Sequence, residues 1–173
     1  MKAADLGLAA SLMASAAREV TRIVDRHVPR RAASDGLAAF VRAACRTIPE
    51  SSGASVLYVA ACAWPGSTIK PAALSNRFRY VALAPPSTYV RAIRGSVAAH
   101  CLTFGVLPSQ VAAAWSVDSD HVTRLLQAMA GYRLETTMLM REPPLWAARR
   151  FLAPLLRAVP REVWRWHNLL RRD

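Results

Sequence analysis

Between Ser119 and Gln127 the chain places Ser119, Asp120, His121, Thr123, Arg124 and Gln127 at spacings that put them on the exposed side of one helix. All six carry hydrogen-bonding groups. On a helix lying in the major groove of DNA, Arg124 could donate two parallel bonds to guanine O6 and N7, and Gln127 could read adenine. His121 and Thr123 suit a base edge or a phosphate. Asp120 cannot face a phosphate favourably, so it either accepts from a cytosine amine or orients His121 or Arg124. Further upstream, Ser109 and Gln110 open another short helical stretch and suit phosphate anchoring. Arg91 and Arg94 can add contacts to the nucleic-acid backbone.

Such chemistry needs two short helices held at a fixed angle, and the stretch from Leu107 to Gln127 has the pattern for them. Pro108 stands like a first helical residue, where its missing N–H costs nothing. Val111, Ala112 and Trp115 form one apolar face, with Ala112 small where a second helix would cross. Ser116 and Val117 make a turn. Asp118 can cap the next helix by accepting N–H bonds from its first turn. Val117 and Val122 have the spacing of a hydrophobic staple. Val122, Leu125, Leu126 and Met129 supply the buried face, and Gly131 ends the helix. The expectation is a helix-turn-helix unit.

The spacing of Val111-Ala112, Val117, Val122 and Leu125 resembles the general bacterial helix-turn-helix pattern over residues 107–127, and more weakly over 88–127. Within that span it is most similar to the C-terminal DNA-binding domain of the bacterial replication initiator DnaA. Asp120-His121-Val122-Thr123 stands where that family opens its second motif helix with Asp-His-Thr-Thr, and Leu125-Leu126-Gln127-Ala128 continues a similar helix. Ser119 replaces the family's basic residue, and Ser116 stands where glycine is common. The resemblance implies double-stranded DNA as partner. It does not extend to the initiator's ATPase, since no phosphate-cradling Gly-x-x-x-x-Gly-Lys-Ser/Thr sequence is present. The chain therefore reads as no initiator, and that family's target sequence does not transfer.

Composition points the same way. The 173 residues carry a formal net charge of +12, and all the basic residues except Lys2 and Lys70 are arginine. The guanidinium fork matches phosphate geometry, and an excess of this size favours a polyanionic partner, nucleic acid or an anionic membrane. Cys45, Cys62 and Cys101 are odd in number and far apart among apolar neighbours, which argues for free thiols and against a disulfide framework or zinc site. His27, His100, His121 and His167 are scattered, and the acids form no paired cluster. His100 adjoins Cys101, but neighbours on a helix point in different directions, so they make no nucleophile–base pair. The expectation is a protein without enzymatic chemistry, metal or cofactor. Residues 8–16 have the look of a signal-peptide core. Asp5 and the helical stripe continuing through Val20 and Ile23 favour an amphipathic helix instead, and with it a cytoplasmic location.

Helices are expected over 5–28, ended by Pro29, and from Ser34 or Asp35 as cap onward, with Leu37, Phe40, Val41, Ala44 and Cys45 inward. Residues 55–64 form an apolar run whose alanines favour helix over strand. Lys70 to Leu74 could start a helix, whereas Arg77 to Val81 alternates like a strand. After Pro85-Pro86, Ser87 or Thr88 would cap a helix to about Thr103, closed by Gly105. Beyond Pro143-Pro144, residues 145–159 and 162–172 read as amphipathic helices, with Pro154 a kink.

From Gly131 onward there are nine arginines against four acids, a net +5. Trp146, Phe151, Trp164 and Trp166 are interleaved with Arg149, Arg150, Arg157, Arg161 and Arg165. Nucleic-acid contact, a membrane-surface helix, a partner-docking helix and plain packing of the tryptophans on the core all fit that pattern.

The chain thus reads as a mainly α protein with three parts. Residues 1–84 would serve dimerisation or partner binding, 85–131 DNA binding, and 132–173 would form basic Trp/Arg-rich helices. The expected role is a sequence-specific DNA-binding transcriptional regulator that inserts residues 118–130 in the major groove. The rival is an adaptor docking on a membrane surface or protein partner through the C-terminal helices, the membrane being the less favoured of these.

Overall fold

The computed structural model describes residues 3–48, 55–130 and 141–167; side chains at 3–6 and 130 lie outside the description. Every regular element among these residues is helical: α1 (Ala3–His27), α2 (Leu37–Thr47), α3 (Val56–Ala63), α4 (Pro71–Tyr80), α5 (Pro86–Thr103), α6 (Pro108–Ala114) and α7 (Ser119–Ala130). A π-helical turn (Ala148–Leu152) then runs into α8 (Ala153–Arg157), and α9 (Arg161–Arg165) follows. The mainly α expectation holds.

Helix α5 is the axis of the molecule. It packs on α1, α2, α7 and the π-helical turn. Its sequence explains why it can be buried on nearly every side: Gly95, Ser96, Ala98 and Ala99 are small, so neighbouring helices approach closely. The buried Ser96 hydroxyl donates to the Ala92 carbonyl at 2.6 Å, so its polarity is satisfied within the helix. At Gly95 the approach is tightest: a Cβ there would stand 1.6 Å from Met129 Sδ of α7. An aromatic relay binds the N-terminal helices to α5. Phe40 stacks on Trp64 at 5.6 Å, meets Phe78 edge-on at 5.4 Å, and Phe78 meets Tyr89 at 5.9 Å. Such pairs add about 0.5–1.5 kcal/mol each beyond burial. A single buried cluster includes Ala9 of α1, Val122 of α7 and Trp164 of α9.

Several local expectations change. Residues 71–80 form one helix, so Arg77 to Val81 is no strand; Pro71 starts the helix, and Leu74 and Phe78, one turn apart, are its buried residues. Gly36, not Ser34 or Asp35, is the residue before α2, without a side-chain cap. Its Cβ would lie 2.3 Å from the Trp166 carbonyl oxygen, so the close seating of the C-terminal segment selects glycine here. Helix α5 starts at Pro86 after Pro85 rather than from a Ser87 or Thr88 cap, proline tolerating the first turn because its N–H has no acceptor there. Ser55 does cap α3, accepting the Tyr58 N–H at 3.1 Å, and residues 56–63 are helical as their alanines suggest.

Pro154 acts as a disruptor one turn earlier than its own position. It has no N–H to give the Arg150 carbonyl, and its ring crowds that group. The helix widens, and the Ala153 N–H bonds to the Ala148 carbonyl five residues back.

Candidate nucleic-acid interface

Helix α6 begins at Pro108, and Gln110 reaches back so that its Oε1 accepts the Leu107 N–H at 2.8 Å. Val111 and Ala112 are buried, and Trp115 closes the helix with its ring inside the protein. The Trp115 indole N–H donates to the Ile48 carbonyl at 3.0 Å, which ties the end of α6 to the end of α2. The chain then turns through Ser116, whose φ of +52° lies in the left-handed region. That is where glycine would relieve strain, and serine accepts it here. The Val117 N–H bonds back to the Ala112 carbonyl at 2.9 Å, and Val117 is half-buried.

Asp118 does what its position predicts. Its Oδ1 accepts the Asp120 N–H at 2.8 Å, capping α7. Helix α7 buries Val122 and Leu126, half-buries Leu125 and Met129, and packs on α5 and α6. Its other face carries Ser119, Asp120, His121 and Arg124 exposed, with Thr123 and Gln127 half-exposed. Asp120, Thr123, Arg124 and Gln127 border one shallow recess of about 410 Å³. Two of these groups are also held locally. Thr123 Oγ1 donates to the Ser119 carbonyl at 3.2 Å, and Arg124 Nε donates to the Asp120 carbonyl at 3.2 Å. The second bond spends one donor of Arg124 on its own helix and leaves the terminal nitrogens for another acceptor.

The remaining candidates are spread out. Ser109 is exposed at the start of α6, whereas the Gln110 amide oxygen already serves the local cap. On α5, Arg91 is exposed. Arg94 is half-buried, and burial lowers its guanidinium pKa, so it is a costlier phosphate ligand than Arg91. None of these four borders the α7 recess as described.

Two features escaped sequence reasoning. One is the Gly95–Met129 crossing that seats α7 on α5. The other is His100, buried 4.9 Å from the Phe104 ring, with its Nδ1 unpartnered and its pKa lowered by burial, partly opposed by Glu19. A glycine inside a helical stretch, between Arg94 and Ser96, was the only signal for the first. Cys45 and Cys101 are buried free thiols pushed up to about 12, chiefly by desolvation, and Cys62 is a half-buried free thiol. Both buried thiols are protonated, and so inert, at neutral pH. Among the described residues no three His, Cys or acidic side chains gather as metal ligands, and no helix is long and apolar enough to cross a membrane.

Comparison with protein-family models, with curated proteins and with solved structures finds no match for this chain.

Proposed function

We propose that α6, its turn and α7 act as a helix-turn-helix that binds double-stranded DNA, with α7 as the reading helix. The observation that carries this is the division of α7. One side is locked on α5 and α6, and the other offers donors and acceptors of both kinds from a capped, rigid helix. Mixed hydrogen-bonding groups discriminate base pairs in the major groove, where each pair shows a distinct pattern. Arg124 is the proposed guanine reader and Gln127 the proposed adenine reader. Ser109 and Arg91 are the proposed phosphate contacts. The net charge of +12 supplies the nonspecific attraction. Regulation of transcription from the cytoplasm is the role this activity would serve.

The rival reading, docking on a membrane surface or protein partner through the C-terminal helices, has less support. Trp146 and Trp164, the aromatics such a surface would present, are buried in the core, and Trp166 is the exposed one. Selection from a random duplex pool, with wild type and Arg124→Ala in parallel, tests the DNA reading. A short enriched motif that relaxes at one position in the variant is the expected result. Salt-sensitive binding without enrichment, or no binding at low salt, overturns sequence-specific recognition.

A further inference from the structure

Among the described residues, a concentration of positive charge lies away from α7. Where α1 ends, Pro29 turns the chain, and His27, Arg30 and Arg31 come to face Arg157 at the end of α8 and Arg161 and Arg165 of α9 across a cleft of about 510 Å³. The two walls are more than 120 residues apart in sequence. Among the described residues no acidic side chain lines the cleft, and none forms an ion pair with any of its five arginines. All five side chains are exposed, while Leu156 and Trp164 close the floor and are themselves buried.

The walls are fixed in place. The Ala33 N–H donates to the Trp164 carbonyl at 2.7 Å, and Gly36 lies directly against the Trp166 carbonyl. The Asp35 carbonyl accepts the Trp64 indole N–H, and the Asp35 carboxylate holds His167 Nδ1 at 3.1 Å. Five guanidiniums around one cleft repel one another, and a solvated surface would scatter them. Here backbone contacts hold the two arms together in spite of that repulsion. An occupant that relieves it must carry several negative charges at close spacing and accept many N–H donors. The volume lies within the range of small-molecule pockets.

We propose that this cleft binds a small polyphosphate, inorganic or nucleoside-borne, whose phosphoanhydride chain spans the two arginine arms. The site is independent of the DNA reading, since α7 packs on α5 and α6 while the cleft is built from α1, α8, α9 and the segment after Pro29.

The test is binding of sodium tripolyphosphate and of ATP to the full chain, by calorimetry and by thermal unfolding, against sodium sulfate at matched ionic strength. A stoichiometry of one is expected. At a ligand concentration a hundredfold above Kd, melting should rise by about 5–10 °C. Arg30→Gln/Arg161→Gln and Arg31→Gln/Arg165→Gln should each weaken binding at least tenfold. Arg149→Gln/Arg150→Gln, which removes the same charge outside the cleft, should leave it unchanged. Equal affinity for the two ligands assigns the phosphate chain alone, and tighter ATP binding assigns a nucleoside as well; both support the site. A melting rise matched by sulfate, or a loss as large in the Arg149/Arg150 variant, overturns it. So does cleft-dependent binding seen only with phosphatidylglycerol vesicles or duplex DNA. Arg124→Ala must keep tripolyphosphate binding, and the cleft variants must keep any selected DNA motif, so failure of one proposal leaves the other standing.

Discussion

The exposed face of α7 and the cleft between α1 and α9 both present arginine to solvent, yet they are built on opposite plans. Helix α7 mixes a carboxylate, an imidazole, two hydroxyls, an amide and one guanidinium on one face of a capped rod. The cleft gathers five guanidiniums and no acid, on two arms distant in sequence. Mixed donors and acceptors distinguish one base edge from another, while donors of a single sign attract phosphate whatever it belongs to. Net charge alone cannot separate the two roles. The arrangement of the charges separates them.

The sharpest way to break this comparison is at Arg124. If α7 reads bases, Arg124→Ala costs about 1–3 kcal/mol on the selected duplex and relaxes one position. The salt dependence of binding should change little beyond the loss of one contact. The double-glutamine cleft variants should leave base preference intact. Competition binding at two salt concentrations checks both, and a cleft variant that loses base preference would erase the distinction.

Next in size are the two glycines at which each region is seated. A methyl at Gly36 collides with a backbone carbonyl that can move only if the segment around Trp166 moves, whereas a methyl at Gly95 meets the flexible end of Met129. Overpacking of this kind costs about 1–3 kcal/mol. Gly36→Ala should fall at the upper end and weaken tripolyphosphate binding. Gly95→Ala should fall at the lower end, disturb α7 and spare the cleft. Denaturant unfolding with ligand titration tests the pair. Equal effects on both regions would mean that they are not separately seated.

These glycines also mark the limit of what was legible in the sequence. Local rules act within a few residues, and they found the Asp118 cap, the helix over the alanine-rich run at 55–64, Pro108 at the start of α6 and the helical stripe of α1. They failed where a distant segment decides. Ser34 and Asp35 have good capping chemistry, but Asp35 is engaged by Trp64 and His167, and Gly36 is required by Trp166. Residues 77–81 alternate like a strand, yet Phe78 is drawn into the ring relay between Phe40 and Tyr89. On α7 the proposed reading residues are contiguous, so their common face was visible from spacing alone. The cleft was invisible, because nothing in the spacing of Arg30, Arg31, Arg157, Arg161 and Arg165 says that α9 returns to the end of α1.

The cap of α7 gives a smaller effect. Asp118→Ala removes the acceptor for the Asp120 N–H, which costs about 1 kcal/mol. The first turn of α7 carries Ser119, Asp120 and His121, so its fraying should weaken DNA binding more than overall stability. Asp118→Asn keeps an acceptor and should restore most of both. Hydrogen exchange at residues 119–122 measures the fraying, and tripolyphosphate binding should not change.

The smallest expected effect is a pH dependence centred on His100. Its ring is buried against Phe104 at the end of α5, and burial holds its pKa below the ordinary 6.5, with Glu19 partly opposing. In the unfolded chain the ring takes a proton as pH falls through 6.5, while in the folded chain it stays neutral. Between the two pKa values the unfolded state binds more protons, so stability is full above 6.5 and declines as pH falls towards the folded value. The slope contributed by one such group cannot exceed about 1.4 kcal/mol per pH unit. His100→Phe keeps an aromatic against Phe104, removes the unpartnered Nδ1 and should flatten the decline between pH 7.5 and 5.5 in denaturant unfolding. A variant as acid-sensitive as wild type would move the origin of the effect elsewhere. Because Phe104 leads into α6, acid should loosen the α6–α7 side first, so hydrogen exchange at low pH should rise in α6 before the segment bonded to Trp164.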